Sequence, residues 1–183
     1  MIDDYIQATM AREHIPGLSV AVIQEGEPIL VKGYGLANVE HSVPATEDTV
    51  YEIASIGKTF TATVTMMLVE EGVISLNDWI VDYLDNPPEA WHPVTLKHIL
   101  SHQSGIPSYT DAKNYWDITR LDLSKAEILA LISELPLKFQ PGDYSAYDNT
   151  GYYLLGLMLE KVTGQTYGEL LRDRIFAPLG MNA

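Results

Sequence analysis

Ser55 and Lys58 place a hydroxyl and an amine three residues apart within residues 51–62. Side chains at this spacing share one face of a helix, so the Lys58 amine can reach the Ser55 oxygen. That is the arrangement of a nucleophile beside its base. The pair alone decides little, because an N-cap serine followed by a solvated lysine gives the same letters.

The residues after this pair predict a helix at residues 59–71. Apolar side chains recur there at helical spacing, and Gly72 supplies a stop at the C-terminal end. A short apolar strand at residues 50–53 is expected to lead into this helix. Ser55 would then lie at the positive end of the helix dipole, where its backbone N–H could bind a developing oxyanion.

Tyr147 and Asn149 form a second candidate pair, two residues apart. They lie on the segment that enters a very apolar helix, predicted at residues 149–163. Both side chains can therefore face one side of a cleft. A phenol in that place can relay a proton, and an amide can orient either a substrate amide or the lysine.

Together these motifs resemble the serine β-lactamase and penicillin-binding-protein superfamily, on the branch of class C β-lactamases, D-alanyl-D-alanine carboxypeptidases, D-aminopeptidases and β-lactamase-like esterases. The likeness continues through residues 16–22, 99–107 and 176–181. The resemblance implies that Ser55 is the nucleophile and Lys58 the general base, and that Tyr147 and Asn149 form the Tyr-x-Asn element. It leaves open which of Lys58 and Tyr147 takes the serine proton, because coupled groups titrate as a pair.

Asp148 departs from the family pattern, which usually has serine or alanine between the tyrosine and the asparagine. A carboxylate that pointed into the cleft would repel substrates that carry a carboxylate of their own. That orientation would favour neutral esters or small amides. If the side chain points away from the cleft, no such preference follows.

The family's third element, Lys-Thr-Gly or His-x-Gly on a later strand, has no counterpart in this sequence. Only 36 residues follow Tyr147, that is 183 minus 147, and none of them predicts such a strand. The similar letters at residues 161–164 close a predicted helix and are interpreted as its C-cap. In the family this element supplies the second oxyanion N–H, and loss of one such donor costs about 100-fold to 1000-fold in rate.

The elements around these residues indicate an α+β fold that is rich in helices. Strands are predicted at residues 18–24 and 29–32, joined by a turn, with the third short strand at 50–53. A lone hairpin is marginal in water, so this antiparallel sheet is incomplete without further strands. Other helices are predicted at residues 3–13, 95–101, 124–135 and 165–175, and loops at 85–93 and 105–120.

We therefore expect residues 1–183 to form one β-lactamase-like region, the N-terminal portion of a larger catalytic domain. In the family, the C-terminal strands that are absent here come from a later part of the chain. That part would then be truncated, cleaved or supplied as a separate polypeptide. The expected protein partner is accordingly a C-terminal fragment of the same protein or a further copy of this chain in a homo-oligomer.

Composition excludes several classes of function. The formal net charge of -14 argues against nucleic-acid binding, and the lack of cysteine excludes disulfides, thiol catalysis and thiolate zinc sites. Neither a membrane span nor a signal peptide is visible, so localisation stays open between cytoplasmic and a processed exported form. His98 and His102 lie four residues apart but lack the glutamate of a His-Glu-x-x-His motif, so no metal site is predicted.

The sequence thus predicts a serine hydrolase that acts through an acyl-enzyme on Ser55. Its substrates would be small molecules or peptides with an ester, amide or β-lactam group, and the chemistry needs no metal or organic cofactor. The alternative is a non-catalytic binding or scaffold protein of the same fold, which the lack of a third element favours.

Overall fold

The computed structural model describes residues 2–181 of the 183-residue chain. The chain divides into two compact units, one that ends at Ile53 and one that begins at Ala54. All the candidate site residues belong to the second unit. No helix in the described part of the chain is both long and apolar enough to cross a membrane.

The first unit consists of one helix and a three-stranded antiparallel sheet. Helix α1 (Ile2–Glu13) precedes strands β1 (Gly17–Gln24), β2 (Glu27–Asn38) and β3 (Val43–Pro44), which lie in the order β1-β2-β3. The predicted hairpin is confirmed. Strand β2 extends beyond the predicted residues 29–32. The prediction is too short because Gly33 and Gly35 interrupt the apolar pattern in the second half of the strand.

The predicted third strand at residues 50–53 is wrong. Among the described residues no strand pairs with that segment, Val50 is 87% exposed, and the third strand lies at Val43–Pro44 instead. The β-branched residues of the segment indicated a strand, but tertiary contacts decide where such residues pair. Ser55 therefore follows an irregular segment.

The second unit is helical. Its longer helices are α2 (Gly57–Glu70) and α6 (Thr150–Thr163), and its short ones are α3 (Leu96–Leu100), α4 (Tyr115–Ile118), α5 (Lys125–Ala130) and α7 (Tyr167–Leu171). Short 3₁₀ turns occupy Ala54–Ile56, Ile80–Tyr83, Glu89–Trp91 and Tyr109–Asp111, and a π-helical turn spans Arg172–Phe176.

Helix α6 is the buried helix of the second unit, as its sequence predicted. Leu154, Leu155, Met158 and Leu159 are fully buried, and Val64 of α2 belongs to the same apolar cluster. Complete burial of a large apolar side chain contributes about 1.5–3 kcal/mol. The packing of α2 against α6 therefore holds the two parts of the candidate site together.

The ends of the helices follow local side-chain signals. Ser124 caps α5 through the predicted capping box, but α5 ends at Ala130 and not at residue 135. The chain continues there as turns ahead of Pro136, and a proline disfavours helical conformation in the residue before it. Gly164 closes α6 with a φ of 70°, so residues 161–164 form the predicted C-cap.

Candidate active site

Ser55 lies on the 3₁₀ turn that runs directly into α2. The preceding residue, Ala54, has a φ of 45°, in the left-handed region that residues other than glycine seldom adopt. Lys58 follows on the same face of the helix, and its Nζ donates to Ser55 Oγ at 3.2 Å. The amine therefore lies beside the hydroxyl, as the spacing predicts.

The segment that enters α6 brings Tyr147 and Asn149 to the same point. Tyr147 Oη and Ser55 Oγ lie 2.5 Å apart in a short hydrogen bond. Lys58 Nζ donates to Asn149 Oδ1 at 2.7 Å and lies 4.7 Å from the centre of the Tyr147 ring. The structure thus brings together all four residues that the sequence singled out.

The arrangement changes the acidity of Tyr147. Hydrogen bonding to Lys58, the largest cause, and to Ser55 lowers the pKa of the phenol below its usual range. A lower pKa increases the fraction of phenolate at neutral pH, and the phenolate is the form that accepts a proton. Because the Tyr147 side chain is about half exposed, its proton can also exchange with solvent.

Asn149 is held by a loop that sequence reasoning did not assign to the site. Its backbone N–H donates to Ser108 Oγ and its Nδ2 donates to Thr110 Oγ1, both at 3.1 Å. Because Nδ2 is bound to Thr110, the amide oxygen faces Lys58. The sequence indicated a role for Ser108 and Thr110 only through their position, because both follow residues 99–107, which resemble the family.

The Asp148 side chain points into the protein. It is 3% exposed, its Oδ1 accepts the Gly151 N–H at 2.5 Å, and its Oδ2 accepts the Ser104 hydroxyl at 3.3 Å. Burial, the largest cause, raises the pKa of the carboxyl group, whereas the bond from Gly151 lowers it. An Asp148 carboxylate could repel carboxylate substrates only if it pointed into the cleft. The expected preference for neutral esters and small amides is therefore not supported.

The two histidines considered as a metal pair do not share a helix face. Helix α3 ends at Leu100, and His102 has a left-handed φ of 56°. Each imidazole accepts a backbone N–H at Nδ1, from Thr95 for His98 and from Asp148 for His102. Within residues 2–181, no cluster of three or more His, Asp or Glu side chains is arranged to hold a metal ion.

Comparison of the sequence with known protein families identifies the family of this chain. A sequence model of the family described as Beta-lactamase matches residues 2–183. The chain belongs to the beta-lactamase family. The resemblance drawn from the motifs is thereby confirmed, as is a helix-rich fold with an antiparallel sheet like that of structures in this family.

Several known proteins resemble nearly the whole chain. Protein flp of Staphylococcus aureus (strain MW2) is 33% identical over 98% of this chain, which covers 36% of flp. An octameric penicillin-binding protein homologue from Pyrococcus abyssi is 38% identical, with a TM-score of 0.82 over 98% of this chain and 42% of its own. The D-amino acid amidase from Ochrobactrum anthropi SV3, complexed with L-phenylalanine, is 30% identical, with a TM-score of 0.86 over 98% of this chain and 50% of its own. This chain therefore spans half or less of the length of each.

Proposed function

We propose that this chain carries the nucleophile of a serine hydrolase and forms an acyl-enzyme on Ser55. One observation carries the proposal: Ser55 Oγ lies within hydrogen-bond distance of both Tyr147 Oη, at 2.5 Å, and Lys58 Nζ, at 3.2 Å. A hydroxyl that contacts two groups able to take its proton is arranged as an activated nucleophile.

In the proposed reaction, the pair formed by Lys58 and Tyr147 removes the Ser55 proton as Oγ attacks the carbonyl carbon of the substrate. The bond from that carbon to the leaving group breaks, and the pair gives the proton to the leaving group. Water then attacks the acyl-enzyme by the same route and releases the acid. The lowered pKa of Tyr147 supports its part in the pair, and Asn149 holds Lys58 in place through its amide oxygen.

The backbone N–H of Ser55, close to the start of α2, is the proposed donor to the oxyanion. The resemblance calls for a second donor from a strand later than Tyr147, and the described residues after Tyr147 form helices and turns. One missing donor costs about 100-fold to 1000-fold in rate. We therefore expect slow acylation of this chain alone, and faster acylation once a polypeptide with such a strand is added.

The proposed substrates are small molecules or peptides with an ester, amide or β-lactam group. Because two relatives are described as a D-amino acid amidase and a penicillin-binding protein homologue, an amide and a penicillin belong among the first compounds to test. The octameric state described for the Pyrococcus abyssi homologue makes self-association part of the proposal. Light scattering of the purified protein measures it.

The decisive experiment is an intact-mass measurement after incubation with p-nitrophenyl acetate and, separately, with a penicillin. The expected result is one adduct per chain, placed on Ser55 by peptide mapping, and no adduct on the Ser55→Ala variant. Ser42→Ala is the matched control, because Ser42 is exposed and belongs to the first unit.

Labelling of Ser55→Ala to the same extent as the unmodified protein would show that another residue is the nucleophile. If neither compound labels the unmodified protein, the alternative of a non-catalytic binding protein of the same fold is favoured. Release of p-nitrophenol beyond one equivalent per chain distinguishes turnover from a single acylation.

A further inference from the structure

His102 contacts the segment before α6 at three points around Tyr147. Its carbonyl oxygen accepts the Ala146 N–H at 2.8 Å, and its Nδ1 accepts the Asp148 N–H at 3.4 Å. Its ring lies 4.6 Å from the Tyr147 ring, centre to centre. One residue therefore holds the backbone on both sides of Tyr147 and also packs against its ring.

His102 is itself held in place by its surroundings. Its backbone N–H donates to Ile99 O at 3.0 Å, and its ring lies 5.1 Å from the Tyr152 ring on α6. Its φ of 56° lies in the left-handed region because His102 follows the C-cap of α3, where its own N–H donates to Ile99 O and the Gln103 N–H donates to His98 O.

His102 Nδ1 can accept the hydrogen bond from the Asp148 N–H only if that nitrogen carries no proton. Burial, the largest cause, and the nearby Lys58 lower the pKa of His102, while the Asp148 carboxylate raises it. The net shift is downward, which favours the neutral ring. Tyr147 and Tyr152 are the other titratable groups packed against this ring.

We propose that His102 is a positioning residue for Tyr147, which it holds through the acceptor at Nδ1 so that the phenol reaches Ser55. This inference rests on the proposed function of the Ser55 site. Tyr147 Oη and Ser55 Oγ lie 2.5 Å apart, so a displacement of the segment by about 1 Å takes the phenol beyond hydrogen-bond distance. A misplacement of about 1 Å in a reacting group costs about 100-fold in rate.

Two substitutions of His102 distinguish the effect of its hydrogen-bond acceptor from the effect of its backbone conformation. His102→Asn retains an acceptor oxygen close to the position of Nδ1, whereas His102→Gly has none. Both asparagine and glycine adopt positive φ readily, so neither should be excluded by the left-handed backbone. If His102→Gly does not fold, His102→Ala takes its place, because it also lacks the acceptor.

The first measurement is the rate of acylation by p-nitrophenyl acetate over a range of concentrations; kcat here is the rate constant of acylation at saturation, and KM is the concentration that gives half of it. We expect His102→Asn to keep its kcat within about threefold of the unmodified protein, and His102→Gly to lose about 100-fold in kcat with little change in KM. A folded His102→Gly variant with unchanged kcat overturns the proposal. So does a folded His102→Asn variant that is as slow as His102→Gly.

The second measurement needs no acylation. The Tyr147 phenol is titrated by NMR in protein labelled with ¹³C at tyrosine Cζ, and its signal is assigned by its loss in Tyr147→Phe. A Tyr147 side chain displaced from Lys58 loses the contact that lowers its pKa, so this pKa should rise in His102→Gly and not in His102→Asn. Equal titration in both variants overturns the positioning role, whereas absence of acylation in the unmodified protein overturns only the proposed function.

Discussion

Replacing Asp148 with asparagine should stabilise the folded protein at neutral pH. The asparagine has nearly the same shape, and its Oδ1 can still accept the Gly151 N–H. Its amide nitrogen can donate to Ser104 Oγ, which at present donates to the carboxylate. The substitution therefore removes the charge that burial disfavours and keeps the hydrogen bond at the start of α6.

The pH dependence of this effect has a defined sign. Because the pKa of Asp148 is raised in the folded protein, its contribution to stability is fully present below the ordinary value of 3.8 and is lost as the pH rises through the raised pKa. The stability of Asp148→Asn relative to the unmodified protein should therefore increase as the pH rises from acidic to neutral, and then level off.

Asp148→Ala provides the opposite control. It leaves the buried Gly151 N–H without its acceptor, and an unsatisfied buried donor costs about 1–3 kcal/mol. We expect a loss of that size in the free energy of unfolding. The order of stability at neutral pH should be Asn above Asp, and Asp above Ala.

Urea unfolding at several pH values, followed by tryptophan fluorescence, measures this order. Trp91 is 1% exposed in the second unit, so its emission should change when that unit unfolds. The reasoning is refuted if Asp148→Asn is less stable than the unmodified protein at every pH. That result would mean that the bond from Gly151 to the ionised carboxylate outweighs the penalty of burial.

Other changes test the site and the packing that supports it. Lys58→Met should raise the pKa of Tyr147 toward its ordinary value of 10.0, which ultraviolet titration against Tyr147→Phe measures, because the main cause of the lowering is removed. The same variant should acylate about 100-fold to 10,000-fold more slowly, and an unchanged rate would remove Lys58 from the mechanism. Leu155→Ala should lose about 2–5 kcal/mol of unfolding free energy in urea, because Leu155 is fully buried, and a negligible loss would contradict its place in the core. Gly105→Ala should cost at least about 1 kcal/mol in the same assay, since Gly105 has a φ of 73° and an added Cβ would lie 2.2 Å from Phe139 O; equal stability would mean that this loop can move.

The residues of the candidate site could be predicted because their spacing is local. Ser55 and Lys58 lie on one helix turn, and Tyr147 and Asn149 flank the start of another helix, so each pair is set by short-range geometry. The two long helices were predicted to within two residues at each end, because their apolar periodicity is strong. That the two pairs meet was supplied by the family resemblance and not by spacing.

The orientation of single side chains could not be predicted in the same way. Asp148 could have pointed into the cleft or away from it, and only the positions of Ser104 and Gly151 in the folded chain decide between them. The contacts of the His102 ring with Tyr147 and Tyr152 likewise depend on residues distant in sequence. The wrong prediction of a strand at residues 50–53 has the same cause. Whether such a segment forms a strand depends on the strands available to pair with it and not on its composition alone.

The two pairs of site residues are far apart in the chain, since 92 residues separate Ser55 from Tyr147. Contacts at such separation form only after a long loop has closed, against the entropy of the chain. A chain that is still emerging from the ribosome, or one that is opening under heat, therefore has Ser55 and Lys58 as neighbours but lacks the phenol. In the proposed mechanism, which uses both Lys58 and Tyr147, covalent labelling of Ser55 would report that the two pairs have met, and a chain in which they are still apart would be labelled more slowly.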